Sequence, residues 1–168
     1  MGCGKSSTGR RVARSLGVRF VDTDAEVERE EQATVLDIFH YEGESYFRRA
    51  ERRVLDRILA DEGDMIVATG GGLPLRDDNM DIMRDTGITV YIKRSAESIF
   101  GRMSDYGRKK RPKLRDMSDE EVLWYMERDI EKRDHTYRLS EYKFDADTMN
   151  DANLAASIVR IWREHAQR

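Results

Sequence analysis

Short apolar runs of strand length alternate along this chain with longer stretches whose apolar residues recur at helical spacing. Residues 18–21 and 65–69 are β-favouring runs, residues 89–92 are a third, and residues 143–145 are a weaker fourth. Helical patterns occupy residues 6–16, which Gly17 closes, and residues 118–132 and 151–166. Residues 25–60 are strongly charged, with a break near 41–44 and apolar positions at Phe47, Val54, Leu55, Ile58 and Leu59, which predicts two or three helices. Strands alternating with helices predict an α/β domain: a parallel sheet covered on both faces. Two of the runs end in polar or glycine clusters, Asp22-Thr23-Asp24 and Gly70-Gly71-Gly72. Such clusters mark the functional edge of a parallel sheet.

The chain opens on Gly2-Cys3-Gly4-Lys5-Ser6-Ser7, the latter part of a Walker A phosphate loop, followed by a predicted helix. Glycines there expose backbone N–H groups to a nucleotide's phosphates, Lys5 adds a charge at the β/γ-phosphates, and Ser6 is placed to ligate magnesium. The helix aims its positive dipole end at the same anion. The full motif has a glycine five residues before the second one and normally follows a buried strand. Counting back from Gly4, that glycine falls two residues before Met1. A strand ahead of the loop is therefore expected to be missing from this sequence, with a natural product about ten residues longer. Losing four buried aliphatic side chains from a central strand forfeits about 6–12 kcal/mol, against a whole-domain stability of about 5–15 kcal/mol.

Composition narrows the class. At 168 residues the chain suits one domain, 1–168. It is 39% hydrophobic and 38% charged, with two prolines and no low-complexity tract, which argues against disorder. A formal net charge of -3 gives no global drive toward nucleic acid or membrane. No apolar run reaches the roughly 18 residues of a membrane span, and the N-terminus lacks a signal-peptide core, so the expected location is the cytoplasm. One cysteine and three scattered histidines do not suggest a structural metal.

A phosphate loop names the donor and not the acceptor. The acceptor is read from Asp22-Thr23-Asp24, from Gly43-Glu44 leading into Phe47-Arg48 and Glu51, and from Ala68-Thr69-Gly70-Gly71-Gly72. With Lys5-Ser6 these motifs resemble the shikimate kinases in order and spacing over nearly the whole chain. The resemblance implies a three-layer P-loop kinase fold with a short parallel sheet of about five strands, counting the missing first. It also implies ATP-dependent phosphorylation of shikimate, with Mg2+, by a monomer, in the pathway to chorismate and the aromatic amino acids. It makes residues 25–60 the substrate-binding helical region and residues 102–116 the lid.

By the same resemblance Arg48 and Arg133 grip the substrate carboxylate, a task suited to planar guanidinium forks. Asp24 orients the hydroxyls and can accept from two of them, while Gly70, Gly71 and Gly72 complete the pocket with backbone N–H groups. Asp22 holds magnesium through water, Arg111 of Arg111-Pro112 meets the transferring phosphate from the lid, and Arg102 stacks on adenine. Lys5, Asp24 and Arg111 are the catalytic set. Gly2, Cys3, Gly4, Lys5, Ser6, Ser7, Arg102 and Arg111 form the ATP set, with Ser6 and Asp22 at the metal. Lys113 and Asp134-His135-Thr136 depart from the family pattern, which bears on lid timing and local packing.

Plainer readings exist for each residue. Asp22 and Asp24 suit helix N-caps, Arg48 sits among Arg49, Arg52 and Arg53 on what could be a solvated face, and the triple glycine could be a turn. Residues 102–116, basic and poor in apolar groups, read as an exposed, mobile loop. The rival functions are a gluconate or nucleotide kinase on the same scaffold, or a non-catalytic remnant left by the shortened loop.

Overall fold

The computed structural model describes residues 2–104, 108 and 114–167. Helix α1 (Lys5–Leu16) begins directly after Gly4 and is closed by Gly17, whose left-handed φ of 71° turns its N–H onto the Ala13 carbonyl. Strand β1 (Arg19–Asp22) runs straight into α2 (Thr23–Glu31), because the Asp22 side chain caps the helix by accepting from the Asp24 N–H. The charged stretch forms α2, α3 (Val35–Tyr41) and α4 (Gly43–Leu59), so its break near 41–44 separates two helices as expected.

Strand β2 (Met65–Ala68) leads into a 3-10 turn at Leu73–Leu75 and then α5 (Asn79–Thr86), while β3 (Val90–Lys93) leads into α6 (Ala96–Gly101). Helix α7 (Asp119–Tyr137) starts on a capping box between Ser118 and Glu121. It extends five residues beyond the expected end at 132, carrying Arg133 and Tyr137 on its last turns. Strand β4 (Tyr142–Asp145) and α8 (Asp151–Ala166) complete the order. Among the described residues no helix is long and apolar enough to cross a membrane.

Alternation along the strands sorts side chains into layers. Phe20 and Ile66 meet α1 at Gly9, where a Cβ would fall 2.7 Å from the Phe20 ring. Val21 and Val67 point the other way, into a core with Val54 and Ile58 of α4. Ile92 packs with Leu154 of α8, whereas Tyr91 turns to Asp134 and Tyr137 of α7. Helices α1 and α8 therefore cover one face, and α4 and α7 the other.

The sheet itself is interrupted. Strand β1 pairs in parallel with β2, from Arg19 opposite Met65 to Asp22 opposite Ala68, and β3 pairs in parallel with β4, from Val90 opposite Tyr142 to Lys93 opposite Asp145. The expected sheet of about five strands thus stands as four described strands in two separate ladders.

In the expected exposed loop at 102–116, Arg102, Ser104, Arg115 and Asp116 are exposed, but Leu114 is not. Leu114 is buried to 1% exposure in a cluster with Ile99, Val122 and Met126, and Arg108 donates to the Leu114 and Met117 carbonyls and pairs with Asp119. Leu114 is thus held by α6 and α7, and Arg108 is satisfied by backbone carbonyls and by Asp119 at the start of α7. Arg111, Pro112 and Lys113 lie outside the described residues.

Candidate active site

Chain geometry gathers the polar groups at the C-terminal ends of the strands. Gly2 and Gly4 adopt left-handed φ values of 70° and 97°, a backbone that L side chains rarely take, and a Cβ on Gly2 would fall 2.9 Å from Ile99. Alternation of this kind turns successive N–H groups into an anion-binding concavity, at the positive end of α1. Lys5 begins that helix, with its Nζ 3.9 Å from Cys3 Sγ, and Ser7 bonds back to the Gly4 carbonyl at 2.9 Å.

Ser6 Oγ donates to Asp22 Oδ2 at 2.7 Å, joining the loop to the end of β1. The two are hard oxygen donors, as a magnesium ion that keeps several waters requires. Asp22 consequently has two tasks: one oxygen caps α2 while the other faces Ser6. The capping alternative and the ligand reading are both compatible with its position.

Asp24 lies in the first turn of α2. Burial raises its pKa above the ordinary aspartate value, the adjacent Asp22 charge adds to the rise, and Lys5 and Arg48 oppose it. Its neighbour on the other side is the glycine turn. A Cβ on Gly70 would collide with Asp24 Oδ1 and fall 2.8 Å from Glu51, one on Gly71 would fall 2.8 Å from Arg133 Nη1, and one on Gly72 would collide with the Arg48 guanidinium. The three glycines are thus required, each by a different side chain. This brings Asp24, Arg48 and Arg133 around one turn of backbone.

Carboxylates hold both arginines in place. Arg48 donates to Glu51 at 2.5 Å and to Glu44 at 3.0 Å, and Arg133 pairs with Asp129 at 2.7 Å. Glu51 is the permanent partner, since its side chain is only 2% exposed. Burial raises its pKa and the Arg48 bond pulls it back. Glu44, at 54% exposure, is displaceable, and it also pairs with Arg76 at 2.6 Å. Arg48 is therefore only partly the solvated residue its arginine-rich surroundings suggest.

Several members of this arrangement carried no role in the sequence reading. Thr23, fully buried, accepts the Gly70 N–H at 2.7 Å, and Tyr137 donates to the Gly71 carbonyl at 2.5 Å, so the turn is tied at two points. Glu51 stands in the quoted motif, but its burial has no local signature; Asp129 and Tyr137 could have been found as the i−4 and i+4 neighbours of Arg133 on one helix face. Arg102 stands apart from the acceptor groups. It pairs with Asp151 at 2.6 Å, and Asp151 also holds Arg94, whose Nε donates to the Cys3 carbonyl at 3.3 Å. That places Arg102 on the phosphate-loop side.

Comparisons with known proteins agree in one direction. The family model described as shikimate kinase matches residues 1–163. The chain is 34% identical over 162 residues to the shikimate kinase of Bacteroides thetaiotaomicron, covering 96% of this chain and 91% of that one. It is 42% identical over 115 residues to that of Persephonella marina, covering 68% of each. A crystal structure of the Bacteroides thetaiotaomicron enzyme superposes with a TM-score of 0.83 at 32% identity, covering 100% of this chain and 94% of that one. The Acinetobacter baumannii shikimate kinase in complex with shikimate gives 0.83 at 30% identity, covering 100% and 91%.

Proposed function

The chain belongs to the shikimate kinase family, and from that premise we propose that it transfers the γ-phosphoryl group of ATP to a hydroxyl of shikimate, giving shikimate 3-phosphate. The observation that carries the reading is the convergence of Asp24, Arg48 and Arg133 on Gly70, Gly71 and Gly72, beside a Ser6–Asp22 contact that belongs to the phosphate loop. An acid-and-alcohol ligand meets guanidinium donors at one end and a carboxylate acceptor at the other.

Backbone N–H groups of residues 2–6 and the Lys5 ammonium bind the β- and γ-phosphates. Arg48 and Arg133 bind the acceptor's carboxylate, with Glu44 yielding its place on Arg48, and each charge-assisted bond contributes about 1.5–3 kcal/mol. Asp24 accepts from the reacting hydroxyl and its neighbour, fixing the oxygen in line with the γ-phosphorus. Because phosphoryl transfer has a loose transition state, such positioning and charge neutralisation supply most of the acceleration. Ser6 and Asp22 would hold magnesium, Asp22 through water, and the ion would supply charge neutralisation at the phosphate oxygens. Arg111 supplies a further positive charge from the lid, and Arg102 stacks on adenine. The protein acts as a cytoplasmic monomer of one domain, in the route to chorismate and the aromatic amino acids.

The deciding experiment is a coupled ADP-release assay with shikimate, gluconate and AMP side by side. Turnover with shikimate alone is the expected result. Preference for gluconate or AMP would overturn the shikimate reading in favour of a sugar-acid or base pocket.

A further inference from the structure

Arg48 is packed against protein on several sides. Its Nη1 donates to the buried Glu51 at 2.5 Å, and its guanidinium lies on the Gly72 backbone, where a Cβ would fall 2.9 Å from Nη2. The ring centroids of Phe47 and Phe39 sit 5.3 and 5.8 Å from its Cζ. The edge formed by Nε and Nη2 faces away from Glu51, and such an edge is the planar fork that suits a ligand carboxylate. Glu44 already occupies it: Oε1 accepts from Nε at 3.2 Å and from Nη2 at 3.0 Å. The same oxygen accepts from Arg76 Nη2 at 2.6 Å. A carboxylate oxygen has two lone pairs, so three N–H donors on Oε1 share it and none has it in full.

Exposure rises outward along this row, from Glu51 at 2% and Arg48 at 24% to Arg76 at 49% and Glu44 at 54%. The inner pair is fixed; the outer pair is solvated, and a solvated ion pair is weak. Glu44 lies in the first turn of α4 and Arg76 directly follows the 3-10 turn at Leu73–Leu75. Their contact therefore joins the helix that carries Arg48 to the far side of the glycine turn.

We propose that Glu44 and Arg76 form a gate on the acceptor clamp: the Glu44 carboxylate stands in for the ligand's carboxylate on Arg48, and Arg76 takes Glu44 over when the ligand arrives. The proposal rests on the acceptor reading above and adds to it an internal competitor and the cation that holds it. An incoming carboxylate exchanges one ion pair for another on Nε and Nη2, while Glu44 keeps its 2.6 Å contact with Arg76. Without Arg76 the displaced carboxylate would face the ligand's like charge with its own cation removed. The competitor lowers apparent affinity by the fraction of molecules in which Arg48 is free. That factor is the same for every carboxylate, since opening precedes any other contact.

Glu44→Gln keeps the size and removes the charge. Its KM for shikimate should fall about two- to fivefold, with the change in KM and not in kcat. Affinity for benzoate, a ring carboxylate without the hydroxyls, should improve by the same factor in calorimetry without nucleotide. Arg76→Ala should weaken both ligands about threefold, and in the Glu44→Gln background it should change neither. A damaged fold does not produce a gain in affinity, so the first variant stays informative even with some loss of α4 stability. An unchanged or higher KM in Glu44→Gln would overturn the proposal. An Arg76→Ala effect of equal size in both backgrounds would also overturn it, by making Arg76 a direct contact of the ligand. Benzoate separates the gate from the kinase reading. A benzoate gain in Glu44→Gln with no shikimate turnover by any form sinks the kinase reading and keeps the gate, whereas shikimate turnover with no gain sinks the gate alone. No binding of either ligand to any form sinks both.

Discussion

The acceptor pocket and the phosphate loop meet at the same strand ends but are held by different means. In the pocket both arginines and the glycine turn are braced by other protein groups: Arg48 by Glu51 at 2.5 Å, Arg133 by Asp129 at 2.7 Å, and the turn by Thr23 and Tyr137. In the loop, Ser6 and the Cys3 carbonyl make single contacts, and among the described residues Lys5 forms no salt bridge, its Nζ resting 3.9 Å from a thiol. The pocket is therefore preorganised by its own charges, whereas the loop leaves its cation for the triphosphate. Preorganisation lowers the ordering cost of binding, so acceptor affinity and donor affinity should respond to separate substitutions.

Lys5→Met gives the largest separation. Losing the cation at the β/γ-phosphates should lower kcat by about 10³-fold, while shikimate affinity measured by calorimetry without nucleotide stays close to that of the parent. A matching loss of shikimate affinity would show that the two regions are one unit.

Arg48→Ala attacks the braced side. The KM for shikimate should rise about 100-fold, as expected for losing charge-assisted bonds. Stability should also fall, by about 3–5 kcal/mol, because Glu51 is left buried without its partner. The pH dependence separates this from a generic defect. Burial already raises the Glu51 pKa above its ordinary value of 4.5, and Arg48 is what opposes the rise. A carboxyl with a raised folded-state pKa stabilises the fold below its unfolded pKa and loses that stabilisation as pH climbs through the folded value. The melting deficit of Arg48→Ala should accordingly be smallest in acid and widen toward neutral pH, and a deficit independent of pH would assign it to lost packing.

Asp24 yields a smaller, graded effect. Its ionised form is the hydroxyl acceptor, and burial followed by the Asp22 charge sets its pKa above 3.8. The kcat/KM profile should have an acid limb above the ordinary aspartate range, falling about tenfold per pH unit below it. The limb should disappear in Asp24→Asn, leaving a low, flat rate.

How much of this was legible beforehand depended on range. The strand ends Asp22-Thr23-Asp24 and Gly70-Gly71-Gly72 are local patterns, and the residues they flag do converge. Thr23 carried no role of its own, since nothing local says that its hydroxyl meets an amide 47 positions away. Leu114 was hidden in a basic segment because its burial comes from α6 and α7. Helices α5 and α6 were missed: they are short, eight and six residues, where helical periodicity has little room to show. The pairing of β1 with β2 and of β3 with β4 is a property of sheet order, which one-dimensional periodicity does not encode.

The smallest effect is the sharpest on the comparison itself. Tyr137 donates to the Gly71 carbonyl at 2.5 Å, and its ring packs on Tyr91 with centroids 5.2 Å apart. Tyr137→Phe keeps the ring and removes only the donor, so the loss should be about 0.5–1.5 kcal/mol, a shift of a few degrees in Tm. Gly71 sits against Arg133, and a loosened turn would blur the clamp without touching the phosphate loop. The KM for shikimate should rise a few-fold, with kcat and the KM for ATP unchanged. A rise in the ATP KM instead would mean that the glycine turn braces the donor side as well, and the contrast between the two regions would then lie in their contacts and not in their function.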